Sequence, residues 1–300
     1  MRSVTRAVAA AALSFCQFSA GAADGTAEPR LDVTVAARAI QPGEVVRIDV
    51  SCTCPMPLEQ VQAEVFGREI VFARSEQSWR GLVGIDLAVR PGPYTVTIEA
   101  AGTGLPALTA TRALRVIPKR FPTRQLRVAP EFVEPSQAAL ERIARENEQI
   151  NEAIQAASGR LWDGIVLQPV GGIATSNFGS RSVFNGQRRA PHGGIDFRAE
   201  TGTPVKAPSA GRVVLADDLY FTGNTIIIDH GQGLYSLFAH LSQSGVAVGT
   251  EVVPGEIVGL VGATGRVTGP HLHWSVRLNG ARVDPLSLLS LVTGTRDGGG

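Results

Sequence analysis

The five histidines of the chain, His192, His230, His240, His271 and His273, all fall in its C-terminal half. His192 opens a His-Gly-Gly-Ile-Asp run that ends at Asp196, and His271 and His273 flank Leu272 in a His-x-His. Histidine is the commonest metal ligand and titrates near neutral pH. Residues two or four apart on a strand share a face. On strands, His192 would therefore project with Asp196, and His271 with His273. Two imidazoles and one carboxylate, with a fourth position left open, form a donor set of catalytic zinc. Such a set carries a single negative charge, which leaves the site net positive and would bring the pKa of a bound water from 15.7 down to about 7.

Hydrolysis also needs a proton shuttle and a group to steady the developing oxyanion. The helical His-Glu-x-x-His zinc motif is absent, and none of Glu200, Glu251 and Glu256 adjoins a histidine. The shuttle falls to the imidazoles that remain. His240 closes an alternating run, 234–240 (LYSLFAH), and is expected on the face of the site. One of His271 and His273 would bind metal and the other act on substrate; spacing does not choose between them. His230, in Asp-His-Gly, is read as structural, the mark of a turn. A non-haem iron oxygenase would use a similar donor set but would have no use for His240 or His271.

These residues need a scaffold. A length of 300 residues is a soft prior for two domains. A net charge of +1 argues against a basic nucleic-acid surface. Residues 1–23 read as a secretory signal: Arg2 and Arg6, an apolar core at 7–18 too short to span a bilayer, and a small-residue cleavage site at 20–22. The remaining chain is expected to be exported, with no integral membrane segment. Cys52 and Cys54 are read as two thiols or a local staple of the N-terminal domain, without catalytic role. Residues 24–118 carry short alternating runs between turn signals, which predicts an antiparallel β-sandwich. Residues 119–160 form a Pro-rich linker followed by one amphipathic helix, capped by Ser136, striped with Leu140, Ile143, Ile150 and Ile154, and ending near Ser158-Gly159. Residues 161–292 are again β-rich and heavy in glycine, predicting a compact, curved β domain. Residues 293–300 are expected to be disordered. The predicted class is mainly β.

The segment 177–287 resembles the M23 (LytM/lysostaphin-type) zinc metallopeptidases of peptidoglycan. The resemblance is carried by Phe178-Gly-Ser-Arg181, by 191–196 (PHGGID), by 202–211 (GTPVKAPSAG), by 238–241 (FAHL) and by 264–273 (TGRVTGPHLH). The 202–211 run is also similar to the start of a lipoyl or biotinyl carrier, but Lys206 lies within an expected strand rather than at an exposed hairpin tip. The family resemblance implies that His192, Asp196 and His273 hold one zinc ion, and that His240 and His271 orient water and move protons. Phe238 stands where the family usually has tyrosine. The N-terminal β region and helix are similar to the accessory part of a Gram-negative subgroup, in which such segments can cover the groove and keep the enzyme latent. The resemblance implies a periplasmic D,D-endopeptidase acting on peptidoglycan stems and crosslinks. The rival is a non-catalytic relative that activates cell-wall amidases. A monomer is expected.

Overall fold

The computed structural model describes residues 28–293, apart from 76–77, 128–133, 156–157, 163, 165 and 176. The expected leader and residues 294–300 lie outside the described residues. The molecule is mainly β, and its described residues form two large sheets, one small sheet and two helices.

Seven antiparallel strands form the first sheet: β1 (Arg30–Ala37), β2 (Val45–Thr53), β3 (Gln60–Val65), β4 (Arg68–Ser75), β5 (Ser78–Gly84), β6 (Gly92–Ala101) and β7 (Leu108–Val116). Their order is β1-β2-β5-β4-β3-β6-β7. Strict alternation drives the packing. In β3, Val61, Ala63 and Val65 are buried between exposed neighbours, and Val96, Ile98 and Ala100 of β6 face the same core. The β3–β4 hairpin turns on Phe66 and Gly67, both at positive φ, as a two-residue turn matched to strand twist requires. The sheet curls until its edges meet, where Arg112 Nε donates to the Val33 carbonyl at 3.1 Å. One barrel-like layer therefore encloses the core that a sandwich would enclose between two. Cys52 and Cys54, at the end of β2 and just beyond it, are joined as a disulfide with Cα atoms 5.2 Å apart.

The chain then forms β8 (Thr123–Leu126) and helix α1 (Gln137–Ala153). Ser136 caps α1 by accepting from the Ala139 N–H at 3.2 Å. The helix stops short of the expected Ser158-Gly159 end. Its last turn docks Ile150, Ala153 and Ile154 on Leu215, Leu219, Ile227 and Tyr235 of the second large sheet, and Ile154 already leaves helical backbone geometry. That docking, rather than the good helix formers beyond it, sets the end. Gln149 Nε2 donates to Asp217 at 3.0 Å, and the Tyr220 N–H donates to Glu146 at 2.8 Å.

The small sheet, ordered β10-β9-β8, adds β9 (Arg181–Phe184) and β10 (Gln187–Arg188). The second large sheet holds β11 (Gly194–Phe197), β12 (Pro204–Lys206), β13 (Gly211–Leu219), β14 (Gly223–Gly231), β15 (Leu234–Ser244), β16 (Glu251–Val252), β17 (Ile257–Val261), β18 (Leu272–Leu278) and β19 (Ala281–Val283). Its main path is β11-β18-β15-β14-β13-β16. Ile195, Trp274 and Phe238 lie opposite one another on β11, β18 and β15, and all are buried. They form one row of the core beneath the site.

A second helix, α2 (Pro285–Thr293), was not expected, and it makes Thr293 helical rather than part of a disordered tail. Pro285 sits where a helix tolerates proline best, and Asp284 accepts from the Leu286 N–H at 3.0 Å. This helix and β19 carry the joint to the first sheet. Val45 and Leu82 of that sheet belong to the apolar core of the second. A Cβ added at Gly84 would lie 2.7 Å from the Ala281 Cβ and 2.8 Å from Val283 Cγ1, so the β19 side chains pack directly on the Gly84 backbone. Asp86 takes both Arg282 Nη2 (2.9 Å) and the Arg282 backbone N–H (2.8 Å). Arg38 bridges Glu44 (2.9 Å) and Asp284 (2.7 Å). Among the described residues, no helix is long and apolar enough to cross a membrane.

Candidate metal centre

Strand pairing delivers the first two groups. Asp196 on β11 lies directly opposite His273 on β18, and paired residues of an antiparallel ladder point to the same face. His271 is two residues earlier on that face, and His192 leads into β11 four residues before Asp196. The backbone of His192 is fixed in both directions: its carbonyl accepts from the Gly179 N–H and its N–H donates to the Ser180 carbonyl, each at 2.8 Å. Gly194 gives the room. A Cβ there would meet the Trp274 carbonyl at 2.4 Å and His273 Cε1 at 2.9 Å.

Three atoms converge. His273 Nδ1 is 2.9 Å from Asp196 Oδ1 and 3.0 Å from His192 Nε2, and His192 Nε2 is 3.2 Å from Asp196 Oδ1. Burial opposes charge on Asp196, but the contacts with His192 and His273 outweigh it and hold the carboxyl well below the ordinary range. Burial pushes the His273 imidazole down, so that ring favours its neutral, ligating form. Two nitrogens and an oxygen about a tetrahedral zinc ion, each at about 2.0–2.1 Å, would stand roughly 3.3 Å apart. The observed triangle has nearly that size, and it is partly open to solvent, with His192 and Asp196 side chains 23% exposed. The group is a cluster able to hold a metal ion.

His240 and His271 stand beside the triangle. Their ring centroids are 4.8 Å apart, and His240 is 6.1 Å from His273. His271 Nε2 is 3.9 Å from Asp196 Oδ1. His240 Nδ1 is 2.9 Å from the Thr264 carbonyl, and His271 Nδ1 is 2.9 Å from the Gly269 carbonyl. A carbonyl can only accept, so Nδ1 carries a proton in both rings, and in the neutral form of each ring Nε2 holds the lone pair. Burial lowers the pKa of His240 to about 4. It is therefore neutral at pH 7 and can accept a proton.

The placement of His240 has a different cause from the alternation expected of its strand. Ala239, not His240, lies opposite His273. A regular strand would turn His240 toward the Phe238 face and into the core. The β14–β15 register instead slips between residues 224 and 226, and His240 takes φ 63°. The bulge adds a residue and re-aims the side chain, and the His240 N–H donates to the Thr222 carbonyl at 2.8 Å. Phe238 is fully buried opposite Trp274, so a tyrosine hydroxyl at this position would begin from the core face. Thr264 and Gly269, whose carbonyls fix the two rings, carry no side-chain signal of that role. Their only trace is that both lie in the 264–273 run.

His230 is apart from the site. It is buried in β14, where Nδ1–H donates to the Ala210 carbonyl (2.8 Å) and the Ser236 hydroxyl lies 3.0 Å from Nε2. Lys206 lies in β12, within the sheet.

A model of peptidase family M23 matches residues 190–285. The chain is 41% identical over 135 residues to the DD-carboxypeptidase/endopeptidase Mpg of Neisseria meningitidis serogroup B, covering 42% of this chain and 31% of that protein. It is 40% identical over 113 residues to the peptidoglycan DD-endopeptidase ShyA of Vibrio cholerae, covering 37% of this chain and 26% of that protein. The chain thus spans less than a third of the length of these curated relatives. A crystal structure assigned to peptidase M23, from Pseudomonas aeruginosa, is 35% identical with a TM-score of 0.65, covering 84% of this chain and 96% of that one.

Proposed function

The chain belongs to peptidase family M23, and from that membership we propose that it is an exported, monomeric zinc metalloendopeptidase that hydrolyses peptide crosslinks of peptidoglycan, as a D,D-endopeptidase of the periplasm. The observation that carries this reading is the triangle of His192 Nε2, Asp196 Oδ1 and His273 Nδ1, beside two histidines whose lone pairs are left for chemistry. Export is supported by the leader-like composition of residues 1–23, and the wall substrate by the names of the relatives.

His192, Asp196 and His273 would hold the ion. Zinc bound there supplies a Lewis acid and acidifies water near neutral pH. The chain's own residues do the rest. His271, its Nδ1–H committed to Gly269, offers Nε2 as general base toward the attacking water. His240, neutral and fixed by Thr264, stands 4.8 Å from His271 across the rings. Once either ring has taken up a proton, its Nε2–H can steady the oxyanion and then pass the proton to the departing amine. Seating both rings on backbone carbonyls fixes their tautomers before substrate arrives.

The test is digestion of purified sacculi, with products identified by mass spectrometry, before and after chelation and zinc return. Crosslink cleavage that disappears with chelation and returns with zinc is expected. Amidase stimulation without any peptide-bond cleavage would replace the reading with that of a regulator.

A further inference from the structure

The small sheet beside the site has a face that the hydrolytic reading leaves unused. β8 pairs in parallel with β9, setting Thr123 opposite Arg181 and Gln125 opposite Val183, while Arg188 of β10 lies opposite Val183. Paired residues share a face, so Thr123, Gln125, Arg181, Val183 and Arg188 look out together. They line a trough of about 490 Å³, with Arg189 and Pro191 at the end that leads to His192. None of the lining residues is acidic. Arg181 and Arg188 are exposed diagonal neighbours across the ladder, with Cα atoms roughly 7–8 Å apart. Thr123 and Gln125 add neutral donors and acceptors along one wall.

Phe184 follows Val183 on β9 and so lies on the opposite face of the small sheet. The guanidinium carbons of Arg189 and Arg266 each lie 5.7 Å from the Phe184 ring centroid. The Arg266 N–H donates to the Phe221 carbonyl at 2.9 Å, one residue before Thr222, which accepts from His240. The platform and the metal centre are joined by backbone as well. Pro122 accepts from the Arg181 N–H at 2.8 Å, and Ser180 accepts from His192.

We infer that the outer face of β8–β9–β10 is a subsite for the carboxylate-bearing peptide stem of the substrate, with Arg181 and Arg188 binding carboxylates and Thr123 and Gln125 binding backbone amides. This rests on the peptidase reading and extends it. Guanidinium is the side chain best matched to a planar carboxylate, and an extended peptide offers free carboxylates at intervals with amides between them. β8 belongs to the segment joining the first sheet to the peptidase half. That segment therefore helps to grip substrate.

The test uses the full chain. A soluble crosslinked muropeptide dimer, released from sacculi by a muramidase, is assayed with and without amidation of its free carboxylates. The double variant Arg181→Ala/Arg188→Ala should raise KM about tenfold with kcat unchanged, by loss of two charge-assisted bonds partly screened by solvent. Arg181→Lys/Arg188→Lys should recover part of that loss. Amidation should raise KM for the parent but add little for the alanine variant. An unchanged KM, or an amidation penalty that persists in the alanine variant, would overturn the inference. If the parent leaves the dimer uncut with zinc present, the peptidase reading fails instead. Co-sedimentation with sacculi, which needs no cleavage, still decides the platform: weaker binding by a variant of parental melting temperature sustains it, and equal binding overturns it.

Discussion

Strand β18 has two ends with opposite chemistry. At its start, His271 and His273 join His192, Asp196 and His240, and within that group His192, Asp196 and His273 bring their polar atoms within 2.9–3.2 Å of one another. Just beyond its end, Arg282 and Asp284 meet Asp86 and Arg38, which follow β5 and β1 of the first sheet, and each carboxylate there has a cationic partner. The far end is satisfied by protein alone. The near end gathers donors that compete for the same protons and would be satisfied together by one cation. One strand thus serves as a ruler, holding the first sheet away from the site while fixing the site to a rigid joint. Among the described residues of the linker between the large sheets, β8 pairs with β9 of the hairpin before His192.

The contrast can be broken at either end. At the near end, His192→Ala or Asp196→Ala should abolish metal binding and lower turnover by more than about a thousandfold together, since on the proposed reading three groups would hold the ion and each would be needed. Metal analysis beside sacculus digestion checks this. His271→Ala should keep the metal and lose about 10²–10⁴-fold in kcat. Loss of metal instead would mean that the roles of His271 and His273 are exchanged.

At the far end, effects should fall on stability and leave metal content alone. Asp86→Ala strands the partly buried Arg282 and should cost about 2 kcal/mol, read by denaturant unfolding. Burial works against charge on Asp86, but the bonds from Arg282 prevail and bring its pKa to about 2. A carboxyl lowered on folding gives stability that is fully present above its unfolded pKa of about 3.9. That stability should be lost as pH falls from about 4 toward 2, and the loss should be missing in Asp86→Ala.

A smaller acid effect should come from His230. Burial lowers its pKa to about 4 from an ordinary 6.5. The unfolded chain therefore binds a proton that the folded chain refuses, so stability should fall as pH drops from about 6.5 to 4. His230→Gln should flatten that part of the profile.

Much of the site could be read locally. The four-residue and two-residue spacings needed only the period of a strand, and the partnership of Asp196 with His273 followed once β11 and β18 paired. Alternation does not account for the position of His240 beside the triangle, because a bulge with a left-handed residue depends on the neighbouring strand and leaves no period in the sequence. α1 was visible from its cap and stripe, although its end was set by docking. α2 was missed despite Asp284-Pro285 before an apolar run, a signal that was there to use. The β8–β9 pairing joins residues far apart in the chain, as do Asp86–Arg282 and Arg38–Asp284. Contacts of that kind have no local signature, which is why the joint and the platform emerged only from the fold.

The central claim is that one ion is held by His192, Asp196 and His273. X-ray absorption at the zinc edge on the purified full chain, with His273→Ala as the comparison, tests it most directly. The account predicts one zinc per chain with two imidazole nitrogens and one carboxylate oxygen at about 2.0–2.2 Å, lost in the variant. Zinc that persists unchanged in His273→Ala, or a parent protein that binds none, would contradict it.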